Sequence, residues 1–197
     1  MASSVVGAIE PKLRQSEIER AIRKPIESLD AWDLYLRALA LRYQYTEESI
    51  REAVALLERA LAIDPSYAPA AALIGSCRLH QRAHGLGKVS DAEVDEAVRL
   101  ARRAIEAGKD DPDTLWMAGY TLAFFTGEYA TAANVVDRAL TLNPNSAYAW
   151  MVRGLMSNLQ NQPDQAIAAL GRGMRLSPRD PQGRAFSRRL CLMYPVA

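Results

Sequence analysis

WMAGYTLAFFTGEYATAANVVDRALTLNP (116–144) is followed, at a shift of 34 residues, by WMVRGLMSNLQNQPDQAIAALGRGMRLSP (150–178). Trp116 maps onto Trp150, Ala132 onto Ala166, Val136 onto Leu170, Ala139 onto Gly173 and Pro144 onto Pro178. Self-similarity at a fixed period of this length is the mark of a repeat architecture. The second half of the unit recurs upstream. Ala53, Leu57, Ala60 and Pro65 keep its spacing, and Ala97, Ala101 and Ala104 keep its first two intervals, with Lys109 where Pro would stand. The matching first halves are marked by Trp32 and by Ala71-Ile74-Gly75, and both earlier units are longer. Trp32 stands 21 residues before Ala53, against 16 from Trp116 to Ala132, and Gly75 stands 22 before Ala97, against 12 from Gly154 to Ala166.

Apolar residues at i, i+3, i+4 and i+7 form a stripe on one helix face. In each second half that stripe alternates small and large. Ala53/Ala60, Ala132/Ala139 and Ala166/Gly173 admit a close neighbour, while Leu57, Val136 and Leu170 fill the groove between helices. Asp64-Pro65, Asn143-Pro144 and Ser177-Pro178 end helices, because proline disfavours helix in the residue before it. Asp111-Pro112 and Asp180-Pro181 combine an N-cap with a first-turn proline, and Ser90-Asp-Ala-Glu93 has capping-box spacing. No window alternates with period two. The pattern predicts an N-terminal helix over Ser4–Arg23, helix pairs over 31–44 with 47–63, 67–83 with 91–107, 112–126 with 128–142 and 147–160 with 163–176, and a last helix over Pro181–Tyr194. The expected fold is all-α, an α-solenoid of antiparallel helix pairs wound as a right-handed superhelix. Its divisions are an N-terminal helix and linker (1–27), four repeats (28–178) and a C-terminal capping helix (179–197).

The chain has 197 residues, 49% of them apolar, and a net charge of +1, which excludes intrinsic disorder. Charge is unevenly placed. From Gly171 onward six arginines face one acid, a net of +5, which leaves −4 on the rest. Two distant cysteines, Cys77 and Cys191, make no disulfide framework and point to a reducing cytoplasm. The N-terminus MASSVVGAIEPKL lacks the basic region of a secretory signal, and the uncharged run Thr114–Gly127 falls short of a membrane span.

The unit resembles the tetratricopeptide repeat, whose 34 residues carry Trp-Leu-Gly-Tyr in the first helix and Ala-Phe-Ala-Pro in the second. Trp150, Gly154, Ala166, Leu170, Gly173 and Pro178 fit best. The preceding unit carries Tyr120 at the glycine position. The runs AIEPKLRQSEIERA (8–21), LDAWDLYLRALAL (29–41), AIDPSYAPA (62–70) and LNPNSAYAW (142–150) are similar to the C-terminal repeat region of bacterial class III adenylate/guanylate cyclases. In those proteins the region follows a TolB-like segment, whose end the first 25 residues resemble. The cyclase module, with its metal-binding aspartates, has no counterpart here. The resemblance implies a regulatory or scaffolding segment of a cyclase-associated signalling system and carries over no catalytic residue.

Chemistry-bearing motifs are few. Cys77-x2-His80-x3-His84 spaces three potential metal ligands along a helix, but no second Cys or His completes a tetrahedral set. Gly85-Leu-Gly87-Lys88-Val-Ser90 departs from a phosphate loop, with Arg82 at the first glycine and Val89 at the Ser/Thr position. Trp32, Trp116 and Trp150 are expected on the core stripes. No catalytic residue, metal or other cofactor is therefore expected, nor an enzyme, a membrane association or a nucleic-acid partner. The expected function is a cytoplasmic protein–protein interaction module. Its groove is expected at residues stepping off the packing stripes: Asp33 and Arg37, then Thr114, Met117, Thr121 and Phe124, then Tyr148, Met151, Leu155 and Asn158. A protein or peptide segment is the expected partner. The alternative is self-assembly through the terminal helices, where Phe186, Leu190, Leu192 and Met193 leave apolar surface.

Overall fold

A computed structural model describes residues 14–24 and 29–176. Residues 14–23 are helical (α1). They are followed by α2 (Ala31–Arg42), α3 (Glu47–Ile63), α4 (Ala68–His84), α5 (Asp91–Ala107), α6 (Pro112–Thr126), α7 (Tyr129–Leu142), α8 (Ala147–Leu159) and α9 (Pro163–Leu176). Every boundary expected between residues 31 and 176 lies within two residues of the observed one. Local chemistry explains that agreement. Asp30, Thr46 and Ser90 close capping boxes with Asp33, Ser49 and Glu93. Asp111 accepts from the Asp113 amide ahead of Pro112, and Ser146 accepts from Ala149. Gly85 and Gly127 end α4 and α6 in the left-handed region, at φ 65° and 71°. The N-terminal helix is described only from residue 14, and the last helix, Pro178 and most of the C-terminal arginines lie outside the described residues.

The helices pair as α2–α3, α4–α5, α6–α7 and α8–α9, and successive pairs stack through α3–α4, α5–α6, α7–α8 and the first helices α4–α6 and α6–α8. Among the described residues there is no strand. The small stripe residues Ala53, Ala60, Ala132, Ala139 and Ala166 are wholly buried, as are Leu57 and Val136 between them. In the second unit much of the added length is helix: α4 and α5 have 17 residues each, against 13 and 14 in α8 and α9. Thr114 through Ala123 of α6 are all buried, because α4, α5, α7 and α8 surround it.

Packing corrects the repeat register. A Cβ on Gly154 would lie 2.7 Å from Leu170 Cγ and 3.1 Å from the Ala166 carbonyl oxygen. The equivalent neighbours in the preceding pair, Val136 and the Ala132 carbonyl, crowd Gly119 at 3.1 and 3.3 Å. Gly119, not Tyr120, is therefore the close-approach glycine. The first helices repeat at 35 residues while the second helices repeat at 34. The tryptophans also part company. Trp116 is core, Trp32 is 41% exposed and stacks on Tyr35 at 5.7 Å, and Trp150 is partly exposed beneath the Arg172 guanidinium at 4.5 Å. Trp32 thus leaves the core stripe expected of it, and Trp150 packs at the edge of the core.

Candidate functional site

The first helices of the pairs carry the residues expected to line a groove, and the structure divides them. Thr114, Met117, Thr121, Met151 and Leu155 are buried at 3% exposure or less. They sit in helix contacts rather than on a solvent face. Thr121 meets Gly75 of α4, and Met151 meets Gly173 of α9. Thr114 donates to Asp111 at 2.5 Å and its methyl group packs on Gly108. A helix enclosed on several sides has no off-stripe face to offer, which is why counting from the stripe misplaced these five. Phe124, Tyr148 and Asn158 remain partly exposed. Tyr148 stacks on Trp116 with ring centroids 5.6 Å apart, and Phe124 sits edge-on to Tyr120 at 6.5 Å.

Asp33 and Arg37, the two groove residues expected in the first unit, hold α1. Asp33 is wholly buried. Its Oδ2 takes the Lys24 ammonium at 2.5 Å and the Asp30 amide at 3.4 Å. Burial pushes the Asp33 carboxyl up. The hydrogen bonds from Lys24 and Asp30 and the ammonium charge outweigh that and leave it below its ordinary value. The Arg37 guanidinium donates to the carbonyls of Ala21 (3.0 Å), Ile22 (3.2 Å) and Lys24 at the end of α1. At the opposite end, Arg14 pairs with Asp113 in the first turn of α6. Ile18 and Ala21 are buried between these ties. A single helix is thus bound to first helices of the first and third pairs, and so lies on the first-helix side of the array. Sequence reasoning missed this, because Asp113 reads as an ordinary first-turn acid and its partner is 99 residues away.

The Cys77/His80/His84 spacing resolves into buried Cys77 and His80 with a partly exposed His84. The His80 Nδ1 donates to the Ser76 carbonyl at 2.6 Å, leaving Nε2 to accept from Arg42 at 3.5 Å. The rings of Tyr45, His80 and His84 lie within 6 Å of one another. Cys77 is wholly buried, and desolvation pushes its thiol up to about 11. Among the described residues no three His, Cys, Asp or Glu side chains are grouped to hold a metal ion. Arg42 is 4% exposed, its Nε lacks a hydrogen-bond partner, and it faces the Tyr43 ring at 5.6 Å. The Gly85–Ser90 stretch is a helix connection, with Gly85 and Gly87 at positive φ and Ser90 capping α5.

In the last pairs an open cleft of about 470 Å³ runs between α7, α8 and α9, lined by Trp150, Arg153, Arg172, Arg175 and Asp137. Arg153 is tied to Asp137 at 2.7 Å and to Ser157. Among the described residues no helix is long and apolar enough to cross a membrane.

Residues 121–182 match the family model described as tetratricopeptide repeat. Among solved structures, YrrB, "a TPR protein with an unusual peptide-binding site", is 20% identical, with 89% of this chain and 82% of that chain covered at a TM-score of 0.51. The structure "MamA MSR-1 C2" is 18% identical, with 84% and 95% covered at 0.50. No curated protein sequence matches the chain. At these identities the likeness is one of fold. Helix pairing, repeat spacing and the matches agree that the chain folds as an all-α solenoid of the tetratricopeptide type, with residues 121–182 matched as tetratricopeptide repeat.

Proposed function

We propose that the array is a non-catalytic protein-interaction module that takes a protein or peptide segment along the face of its first helices. The observation that carries this reading is α1 itself, a helix already seated on that face through Asp33, Arg37 and Asp113. Extended surfaces of this kind are what stacked helix pairs supply. The partly exposed Phe124, Tyr148 and Asn158 extend the face with aromatic and amide groups suited to an apolar segment. YrrB, with its peptide-binding site, supports the reading by sharing the fold. The setting we propose is cytoplasmic, as a regulatory segment of a bacterial adenylate-cyclase-like signalling system. It rests on the sequence similarity of residues 8–21, 29–41, 62–70 and 142–150.

Photoreactive side chains placed at Phe124 and Tyr148 in cells test the module. Both positions are expected to capture the same protein, and Asn158→Glu to reduce the yield. Capture only from outer-face controls such as Glu58 would refute the site. Capture of proteins unrelated to nucleotide cyclases would refute the signalling setting alone.

A second reading, self-assembly, is favoured by Ile167 and Met174, one face of α9 at 60% and 50% exposure. Sedimentation across a hundredfold concentration range tests it. Association reversed by Ile167→Glu supports it, and a monomer throughout removes it.

A further inference from the structure

We infer that α1 is the resident occupant of a helix-receiving site, and that the module's partner is a helix repeating α1's own pattern. That pattern is a basic residue, an apolar residue four later, a small residue seven later and a second basic residue ten later. The inference rests on the interaction reading above and names the class of partner. Arg14 and Lys24 stand ten residues apart, about 15 Å along a helix. Each meets a carboxylate of the array, Asp113 and Asp33. Ile18 and Ala21 fill the space between.

The third element of the site reads no side chain. Arg37 bonds the carbonyls of Ala21, Ile22 and Lys24 at the end of α1, where helix carbonyls lack i+4 amide donors; the Ala21 carbonyl also takes the Lys24 amide at 3.2 Å. A guanidinium fork for a helix end, acids placed for basic residues at either end and a small apolar seat together make a receptor for a short basic amphipathic helix. The receptor would take another helix of that chemistry equally well.

The resident is held by polar ties more than by apolar burial. Only Ile18 and Ala21 are buried among its apolar side chains, Ile22 is 56% exposed, and the Arg14 and Lys24 side chains are about a third exposed. The partly exposed pair of Arg14 with Asp113 contributes little, whereas Asp33 is wholly buried, so any helix that displaces α1 must bring its own cation to that carboxylate. A partner helix therefore competes with α1, and the site opens only as α1 leaves.

The test is fluorescence anisotropy with a labelled peptide of residues 11–26, added to the full chain and to a full-length Ile18→Asp/Ala21→Glu variant that expels its own α1. The variant is expected to bind the peptide at least tenfold more tightly than the wild type. Glutamate at both basic positions of the peptide is expected to remove that binding. Equal affinities for the two chains, or indifference to the charge reversal, would overturn the inference. Should the double variant lose its helical circular dichroism, Asp113→Lys takes its place. That chain is expected to prefer a peptide carrying Arg14→Glu by about tenfold, and the opposite preference overturns the proposal. A wild-type dimer that the peptide dissociates would make a second copy's α1 the occupant and would overturn the partner named here. If crosslinking at Phe124 and Tyr148 finds no protein while the opened chain takes the peptide, the interaction reading falls and the receptor stands. If a captured partner binds both chains equally, the receptor inference alone falls.

Discussion

Gly154→Ala probes the contact on which the last helix pair is built. The new methyl carbon would sit 2.7 Å from Leu170 Cγ, 3.0 Å from its Cδ2 and 3.1 Å from the Ala166 carbonyl oxygen. Leu170 can turn aside only in part, and the backbone of α9 cannot, so α8 and α9 must separate by several tenths of an ångström. Forcing a methyl group into packed space costs about 1–3 kcal/mol. Alanine in place of glycine in a helix interior returns about 1 kcal/mol. Taking the middle of that range, about 2 kcal/mol, the net expectation is a loss of about 1 kcal/mol, or roughly 2–4 °C in the melting temperature of a chain this size.

Two sister substitutions in the same pair fix the interpretation. In Gly173→Ala the methyl would lie 2.9 Å from both the Ala147 carbonyl and Met151 Cγ, so a comparable loss is expected. In Gly171→Ala the nearest atom is the mobile end of Arg175 at 3.3 Å, so propensity wins and a gain of up to about 1 kcal/mol is expected. Urea unfolding followed by circular dichroism gives the ranking. Hydrogen exchange then locates the change, which in a stacked array should centre on α8 and α9. A Gly154→Ala chain as stable as the wild type, or a Gly171→Ala chain that loses as much, would refute the close-packing argument.

Arg42→Met is expected to raise the urea midpoint, since a buried guanidinium with an unpartnered Nε gives way to a side chain at ease in the core; a fall equivalent to more than about 1 kcal/mol would show that its bond to His80 matters more. Acid should release α1 early. The Asp33 carboxyl is held below its ordinary 3.8, so its contribution is complete above that value and fades as pH falls through the depressed one. Hydrogen exchange followed as pH is lowered below 3.8 should therefore show residues 14–23 losing protection before α4–α7, and simultaneous loss would contradict this. Cys77 should resist thiol reagents at pH 8 until the chain unfolds, because it is buried and its thiol lies near 11; prompt labelling of Cys77, located by peptide mapping, would show that α4 opens locally.

Much of the helical framework was legible because it is local. Asp30, Thr46, Ser90 and Asp111 bond to amides two or three residues ahead, and Pro112, Gly85 and Gly127 act on their own backbone. The small-large-small stripe of the second helices was legible too, since Ala132, Val136 and Ala139 face one neighbour and keep a helical period. First helices were harder. They meet neighbours on several sides, so α6 is buried along Thr114–Ala123 and no periodicity separates core from groove. Their register slipped by one residue at Gly119, because a single matched tryptophan anchored the alignment where packing aligns the glycines.

The sequence by itself determined the all-α class, the helix bounds between residues 31 and 176 and the stacking of pairs, since capping, proline and stripe periodicity act within a few residues. Only the tertiary structure decided which side chains face outward and what occupies the first-helix face. Those outcomes depend on meetings such as Arg14 with Asp113, 99 residues apart, whose pairing energy has no signature in either neighbourhood until the stacked pairs bring them together.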